Sequence, residues 1–372
     1  MKKLGFGLMR LPTIGQTNPP TIDKEQVKQM VDAFMARGFT YFDTAWMYLK
    51  FQSEPITKEA LVDRYPRDSF TLATKLHAGY LKCAEDRDRI FNEQLRKTGA
   101  KYFDYYLIHS VNRELYDTYE KYDCFAWLAE KKRQGLVRHI GFSFHDNAEF
   151  LERVLNDHPD VEFVQLQINY LDWESDGIQS RLCYEVACRH NIPVIVMEPV
   201  KGGTLAKLPL AAEKLLLDAH PDWSISSWAI RFAAGLDNVM TALSGMSNME
   251  QLLDNTGYMQ DFAPLTEEEQ ELLRRVVEIM NAGSEIPCTS CAYCVDGCPK
   301  RIPIPTYFSL YNADLQEVEG KDWKPQEAYY DNLAMELGRA SDCISCGKCV
   351  RVCPQHINIP QELKTVAKHF ES

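Results

Sequence analysis

Two cysteine runs carry the most specific chemistry in this chain: Cys288-x2-Cys291-x2-Cys294-x3-Cys298-Pro299 and Cys343-x2-Cys346-x2-Cys349-x3-Cys353-Pro354. Three thiolates at two-residue intervals can wrap one face of an iron–sulfur cubane, and a fourth, followed by proline, reaches across to a second cluster. On that pattern Cys288, Cys291, Cys294 and Cys353 hold one [4Fe-4S] cluster, and Cys343, Cys346, Cys349 and Cys298 hold another. Structural zinc usually takes its four ligands from two separated pairs, not from four tightly spaced cysteines. Disulfides need an oxidising compartment, and the first residues, Met1 to Gly7, contain no long apolar stretch of the kind that exports a chain. The remaining cysteines, Cys83, Cys124, Cys183 and Cys188, are scattered through helix-like segments and are expected to be reduced thiols.

A second set of residues suits proton transfer at a carbonyl. Asp43 follows the apolar run Phe39-Thr40-Tyr41-Phe42, Lys75 follows Phe70 to Thr74, His109 follows Tyr105 to Ile108, and Tyr48 lies in the loop just after Asp43. An alkoxide forming during reduction needs a proton, and a tyrosine with an ordinary pKa of about 10 gives one reluctantly. A lysine beside Tyr48 lowers that barrier by favouring tyrosinate; Asp43 would keep Lys75 charged, and His109 would hydrogen-bond the substrate oxygen. Singly, each could be a helix cap or a solvated loop residue. Their joint placement carries the reading.

These side chains need a scaffold that brings several strand ends together. Up to about residue 282, short apolar runs alternate with segments of helical period, the mark of β/α units around a parallel sheet. Strands are expected at Phe39–Phe42, Phe70–Thr74, Tyr105–Ile108, His139–Phe142, Phe163–Gln167, Pro193–Met197 and Val239–Leu243, with an eighth near Thr13 or earlier. Core faces recur at helical spacing, as at Val27, Met30, Val31, Phe34 and Met35, and at Tyr122, Phe125, Ala126 and Ala129. The pattern predicts a (β/α)8 TIM barrel, whose chemistry sits at the carboxyl ends of the strands. A doubly wound sheet would show G-x-G-x-x-G after its first strand, whereas Gly5-Phe6-Gly7 runs on into Leu8-Met9-Arg10. A last helix, with Leu272, Leu273, Val276, Val277 and Met280 on one face, leads through Asn281 to Pro287 into the first cysteine run. The division expected is therefore a barrel over 1–282 and a small, mostly helical iron–sulfur module over 283–372. In that module one helix begins around Pro305 and another ends near Leu337-Gly338.

The segments Asp43-Thr44-Ala45-Trp46-Met47-Tyr48, Thr74-Lys75 and Asp104 to His109 resemble, in order and spacing, the Asp, Tyr, Lys and His tetrad of the aldo-keto reductases. The likeness covers most of residues 1–282 and is similar to a subfamily with a C-terminal ferredoxin-like module. It implies NADH or NADPH as cofactor. Nicotinamide and pyrophosphate contacts are implied for Ser143 in Gly141-Phe142-Ser143, for Gln165, and for Glu198, Pro199, Val200 and Gly202. The segment Ser244-Gly245 to Asn255 resembles the adenosine loop, implicating Ser244, Gly245, Gln251 and Asn255. Two places depart from the family pattern. Gln251 stands where many members carry arginine and no Lys or Arg lies nearby in sequence, which leaves NADH open; Phe144 replaces a frequent asparagine.

Composition sets outer limits. With 372 residues, 45% hydrophobic and 25% charged, the chain can bury one large core and a smaller module. A formal charge of -12 opposes binding to nucleic acid or anionic membranes, and no run reaches the roughly 18 apolar residues of a spanning helix. A cytoplasmic redox enzyme acting on a carbonyl or alcohol is the expectation. Because hydride carries two electrons and a cluster passes one, the two halves need a mediator: a flavin, or a substrate that accepts single electrons. A ferredoxin-like partner would supply electrons from outside. The competing class is an electron-transfer or redox-sensing protein whose barrel binds a nicotinamide without carbonyl turnover. Trp46, Trp173 and Tyr170 are the aromatic candidates for a pocket wall.

Overall fold

The computed structural model describes residues 2–15, 17–282, 285–317 and 324–371; Met1 and, in the expected linker, Gly283 and Ser284 lie outside them. Eight parallel strands close into a barrel in sequence order. They are β1 (Leu4–Gly7), β2 (Tyr41–Asp43), β3 (Thr71–His77), β4 (Phe103–Val111), β5 (Val137–Phe144), β6 (Phe163–Gln167), β7 (Val194–Met197) and β8 (Val239–Ser244). The eighth expected strand is β1, earlier than Thr13, which forms only an isolated bridge to Ile22. The segment weighed and rejected as a phosphate-binding fingerprint is thus a barrel strand.

Side-chain alternation builds the interior in layers. Tyr41, Ala73, Leu107, Phe163, Ile195 and Leu243 point inward and form one small core. Two strands contribute glycine to it, for want of space. A Cβ at Gly141 would lie 2.4 Å from the Phe163 carbonyl oxygen, and one at Gly5 would lie 2.6 Å from Leu243. Two residues further along each strand the same inward face carries Asp43, Lys75, His109, Ser143 and Gln165. The apolar layer is therefore the floor of a polar one. Outside the strands the larger core packs helices such as Lys24–Ala36, through Val27, Met30, Val31 and Phe34. Ala126, expected on a core face, is exposed; the Cys124–Arg133 helix buries Cys124, Phe125, Trp127 and Leu128 instead.

The helix Glu267–Ala282 buries Leu273, Val276 and Met280 as expected. Beyond it a separate core gathers Ile302, Ile304, Tyr307, Phe308, Tyr330, Leu363 and Val366. Its longer helices are Ile304–Leu315, with proline in the first turn, Pro325–Ala334 and Ile359–Phe370. The second of these stops at Ala334, short of the expected Leu337. This module rests on the loops that follow β5 and β6. Asn332 donates to the buried His145 carbonyl at 2.9 Å, the Ser175 and Ser309 hydroxyls are 3.3 Å apart, and Ile178 of the barrel belongs to the module's core.

Candidate active site and iron–sulfur clefts

At the carboxyl end of the barrel Lys75 is fully buried and donates to the Asp43 carboxylate and, at 2.9 Å, to the Thr44 carbonyl. Gln165 reaches the other Asp43 oxygen at 3.4 Å. Burial favours the neutral amine, but the Asp43 carboxylate and the Tyr48 phenol outweigh it and hold Lys75 above the ordinary lysine value. An ammonium held in this way sits 5.0 Å from the centre of the Tyr48 ring. For Tyr48 itself burial dominates and raises the phenol pKa, although Lys75 pulls it down. The sequence-based expectation of a net lowering is therefore corrected: desolvation exceeds the lysine's effect, and the group is a protonated phenol at neutral pH.

The backbone that carries Tyr48 is unusual. Leu49, Lys50 and Phe51 follow it with φ of 53°, 53° and 69°, three consecutive non-glycine residues in the left-handed region. Each costs roughly 1–2 kcal/mol. The tyrosine is thus presented by a turn that the rest of the fold must hold in place. Its ring meets His109 edge-on at 5.9 Å, and His109 meets His77 at 5.4 Å. The chain of rings continues through Tyr80, Phe51 and Trp46, so Trp46 belongs to the wall beside the tetrad. Burial first, then His77 and Lys75, hold the His109 pKa well below the ordinary value, which makes it a neutral donor or acceptor. Its Nδ1 has no hydrogen-bond partner among the described residues.

Sequence reasoning passed over His77 and His145. Burial lowers His77 to about 4 and His145 to about 3. His77 lies two residues beyond Lys75 on β3, in register with His109 on β4. The period-two rule that selects Lys75 selects it too.

The residues expected to hold the nucleotide lie around the same mouth. Ser143 Oγ accepts from the Ser110 N–H at 2.7 Å, and Asn255 donates to Ser244 Oγ at 2.9 Å. In the loop after β7, Glu198, Lys201, Gly202 and Gly203 all have positive φ, and a side chain at Gly203 would meet open space, so a ligand can approach its backbone closely. Lys201 itself turns inward, 2.7 Å from Asp172. At the amino end of the Met249–Gln260 helix Gln251 accepts from the Ser247 N–H at 2.7 Å, in a position that favours an anion. A cationic side chain from elsewhere in the chain lies beside Gly245. Arg10 packs against Gly245, accepts from Ser247 Oγ through its carbonyl at 2.8 Å, and pairs with Glu198 at 3.7 Å.

In the second module two small clefts open among the cysteines. Cys288, Cys291, Cys294 and Cys353 line the first; Cys298, Cys343, Cys346 and Cys349 line the second. The runs repeat in conformation as well as spacing. Positive φ falls at Ser290 and Ala292 in one and at Ser345 and Gly347 in the other, and again at Arg301 and His356, each three residues past its fourth cysteine. Turns that alternate right- and left-handed residues are of the kind that can cup an anion with backbone N–H groups. Each foursome surrounds a space, and among the described residues no three His, Cys, Asp or Glu side chains converge closely enough for a single ion. Cys124 and Cys183 are buried, Cys188 half-buried and Cys83 exposed, all as free thiols.

A closed β/α barrel with a buried Lys–Asp pair at its mouth, joined to a cysteine-lined helical module, defines an oxidoreductase. The chain belongs to the aldo/keto reductase family, whose model matches residues 3–278, and residues 287–358 match the 4Fe-4S dicluster domain. It is similar to the uncharacterized oxidoreductase YqkF of Bacillus subtilis, 22% identical over 306 residues that cover 74% of this chain and 92% of the relative. Among solved structures it resembles an aldo-keto reductase from Bacillus halodurans in its holo form, with a TM-score of 0.58, 23% identity, and 74% and 91% of the two chains covered. It also resembles one from Klebsiella pneumoniae in complex with NADPH, with a TM-score of 0.57, 20% identity, and 74% and 90% covered. At these identities the likeness establishes the fold. Among the described residues no helix is long and apolar enough to cross a membrane.

Proposed function

We propose that the barrel interconverts a carbonyl and an alcohol with NAD(P)H, and that the module over 283–372 carries two [4Fe-4S] clusters that pass single electrons. The observation that carries the first half is the buried Lys75, bonded to Asp43 and set against Tyr48 with His109 at the same mouth. Bound nicotinamide would supply the hydride. Tyr48 gives its proton to the carbonyl oxygen, Lys75 stabilises the resulting phenolate, and Asp43 keeps Lys75 charged and in place. Neutral His109 orients the substrate oxygen. The ring wall from His77 to Trp46 excludes water and favours an apolar or aromatic group beside the carbonyl.

Ser143 and Gln165 would face the carboxamide; Glu198 to Gly203, Ser244, Gly245, Gln251 and Asn255 would hold the remainder of the nucleotide. The Arg10 side chain, packed beside Gly245 and paired with Glu198, is a cation at the nucleotide loops, which supports NADPH as well as NADH. The crossed ligand sets are Cys288, Cys291, Cys294 and Cys353, and Cys343, Cys346, Cys349 and Cys298, and they rest on which cysteines share a cleft. A ferredoxin-like carrier is the natural partner for such clusters.

Replacing Tyr48 with Phe should lower NAD(P)H-dependent reduction by about 100-fold or more while nucleotide binding, read by fluorescence titration, stays intact. Full activity of that variant toward an accepted carbonyl would refute the tetrad mechanism. The cysteine clefts also favour a second reading, an electron-transfer protein, for which the unmodified chain turns over no carbonyl in a broad panel.

A further inference from the structure

Because the two cysteine runs repeat in spacing and conformation, the rims of their clefts can be compared position by position, and they differ in charge. Cys291 in the first and Cys346 in the second are exposed, so each cleft reaches the surface. Lys300, Arg301, Lys348 and Arg351 stand at the second cleft where the repeat places Gln355, His356, Tyr293 and Asp296 at the first. All four cations are exposed, and none makes an ion pair among the described residues. Lys300 and Lys348 line the second cleft itself, with no acidic residue among its described lining residues. Arg351 lies three residues after Lys348 on the helix Lys348–Val352, which sets the two on one side. No charged residue lines the first cleft.

Such a patch needs a reason in a chain of formal charge -12. Unpaired like charges held close together cost electrostatic energy that an anionic partner recovers. An apolar side chain lies among them: Ile344, 59% exposed, lines the same cleft, and its equivalent in the first run is Thr289. An apolar spot inside a charged rim is the make-up of a small, transient protein interface, the class to which electron-transfer encounters belong. The first cleft borders the barrel instead. Cys288 lines a cavity shared with Trp173 and Phe232, and no cysteine of the second foursome does.

We infer that the rim of the second cleft, with Lys300, Lys348 and Arg351 around Ile344, is the dock for a small acidic one-electron carrier protein, which exchanges electrons with the second cluster and leaves the first on the barrel side. The inference rests on the cluster reading proposed above and adds which cluster the carrier meets. In the transfer one electron leaves the reduced carrier and enters the cluster; no bond forms or breaks and no proton moves. The net negative charge of the whole chain repels an acidic carrier elsewhere, so the patch selects the orientation as well as the partner.

An acidic plant-type [2Fe-2S] ferredoxin is the probe, mixed anaerobically with the holoprotein. Isothermal titration calorimetry reads binding of the oxidised partners, and stopped-flow absorbance reads electron transfer in whichever direction runs. At about 20 mM salt binding should saturate, and the transfer rate below saturation should fall about tenfold or more when salt is raised to about 300 mM. Lys348→Glu and Lys300→Glu should each lower affinity and rate about tenfold at low salt, with iron content and EPR spectrum as in wild type. Tyr293→Glu, the matching change at the first cleft, should alter both less than about twofold. Cytochrome c, a basic carrier, should oxidise the dithionite-reduced clusters faster in Lys348→Glu than in wild type, which separates lost attraction from damage to the cluster. No saturable binding, salt-independent rates, or equal losses in Tyr293→Glu and Lys348→Glu would overturn the dock. Flotation with anionic phosphatidylglycerol vesicles that Lys348→Glu abolishes, with carrier binding unchanged, would overturn it too and assign the patch to a membrane surface. Absence of any cluster EPR signal would instead refute the cluster reading, and calorimetry would still decide the surface.

Discussion

Lys75 has no exposed surface, and its charge survives because Asp43, on the neighbouring strand, faces it across one pleat. That arrangement follows from side-chain alternation: once Ala73 and Tyr41 are inward, Lys75 and Asp43 must be too. The inward placement of Asp43, Lys75 and His109 was therefore legible in sequence, since each lies two residues past an inward apolar one, whereas Tyr48 lies in the loop after β2 and follows no such rule. The protonation states were not legible, because desolvation depends on what closes over the mouth. They set the pH profile. Tyr48 must be protonated to act as an acid, and its pKa lies above the usual 10, so the acid form persists through neutrality and is lost only in strong base. His109 lies well below 6.5 and has already lost its extra proton at neutral pH. Carbonyl reduction at saturating substrate should accordingly be level from about pH 7 to 9, with no inflection near the ordinary histidine value of about 6.5. An inflection there that disappears in His109→Gln would show that His109 titrates in the working range.

Among the elements, the strands and the two cysteine runs were readable, but the contacts that lock the runs together were not. β1 is only four residues long and half glycine, so its apolar signal is weak; its identity depends on pairing with β2 and β8, which are distant in sequence. The conformational repeat of the cysteine runs is likewise invisible in spacing alone, because positive φ at Ser290, Ala292 and Ser345 falls on residues without a left-handed preference. The two halves of the module meet where Gly338 crosses Lys300. A Cβ at Gly338 would lie 2.1 Å from the Lys300 carbonyl oxygen and 3.1 Å from Ile302, and the neighbour it strikes is backbone, which cannot rotate away. Gly338→Ala should therefore destabilise the module by about 3 kcal/mol and lower its iron content and visible absorbance. The barrel's thermal transition should shift far less. Wild-type iron content in that variant would show that this crossing is not needed to bring the cysteines together.

At the scale of the whole molecule, the barrel and the module share surface that neither could leave exposed without cost. Ile178, from the loop after β6, is buried in the module's core; a Cβ at Gly177 would strike Leu310; and the buried Asn332 amide depends on the His145 carbonyl. These partners lie far apart in sequence and on segments without regular period, so no pattern announced them, although two units were expected from the β/α alternation and the cysteine runs that follow it. The joint has a thermodynamic consequence. If the clusters fold the module, their binding energy stabilises whatever the module covers, including the loops after β5 and β6 that border the tetrad. Removing iron with a chelator under anaerobic reducing conditions should release those loops. The barrel should then unfold some 5 °C or more below its transition in the holoprotein, as expected for the loss of about 1–2 kcal/mol in a unit of this size. Amide hydrogen exchange should rise first at residues 169–179 and around His145, before the strands of the barrel are affected. Identical exchange at those residues with and without iron would mean that the barrel holds its own mouth and the module merely rests on it.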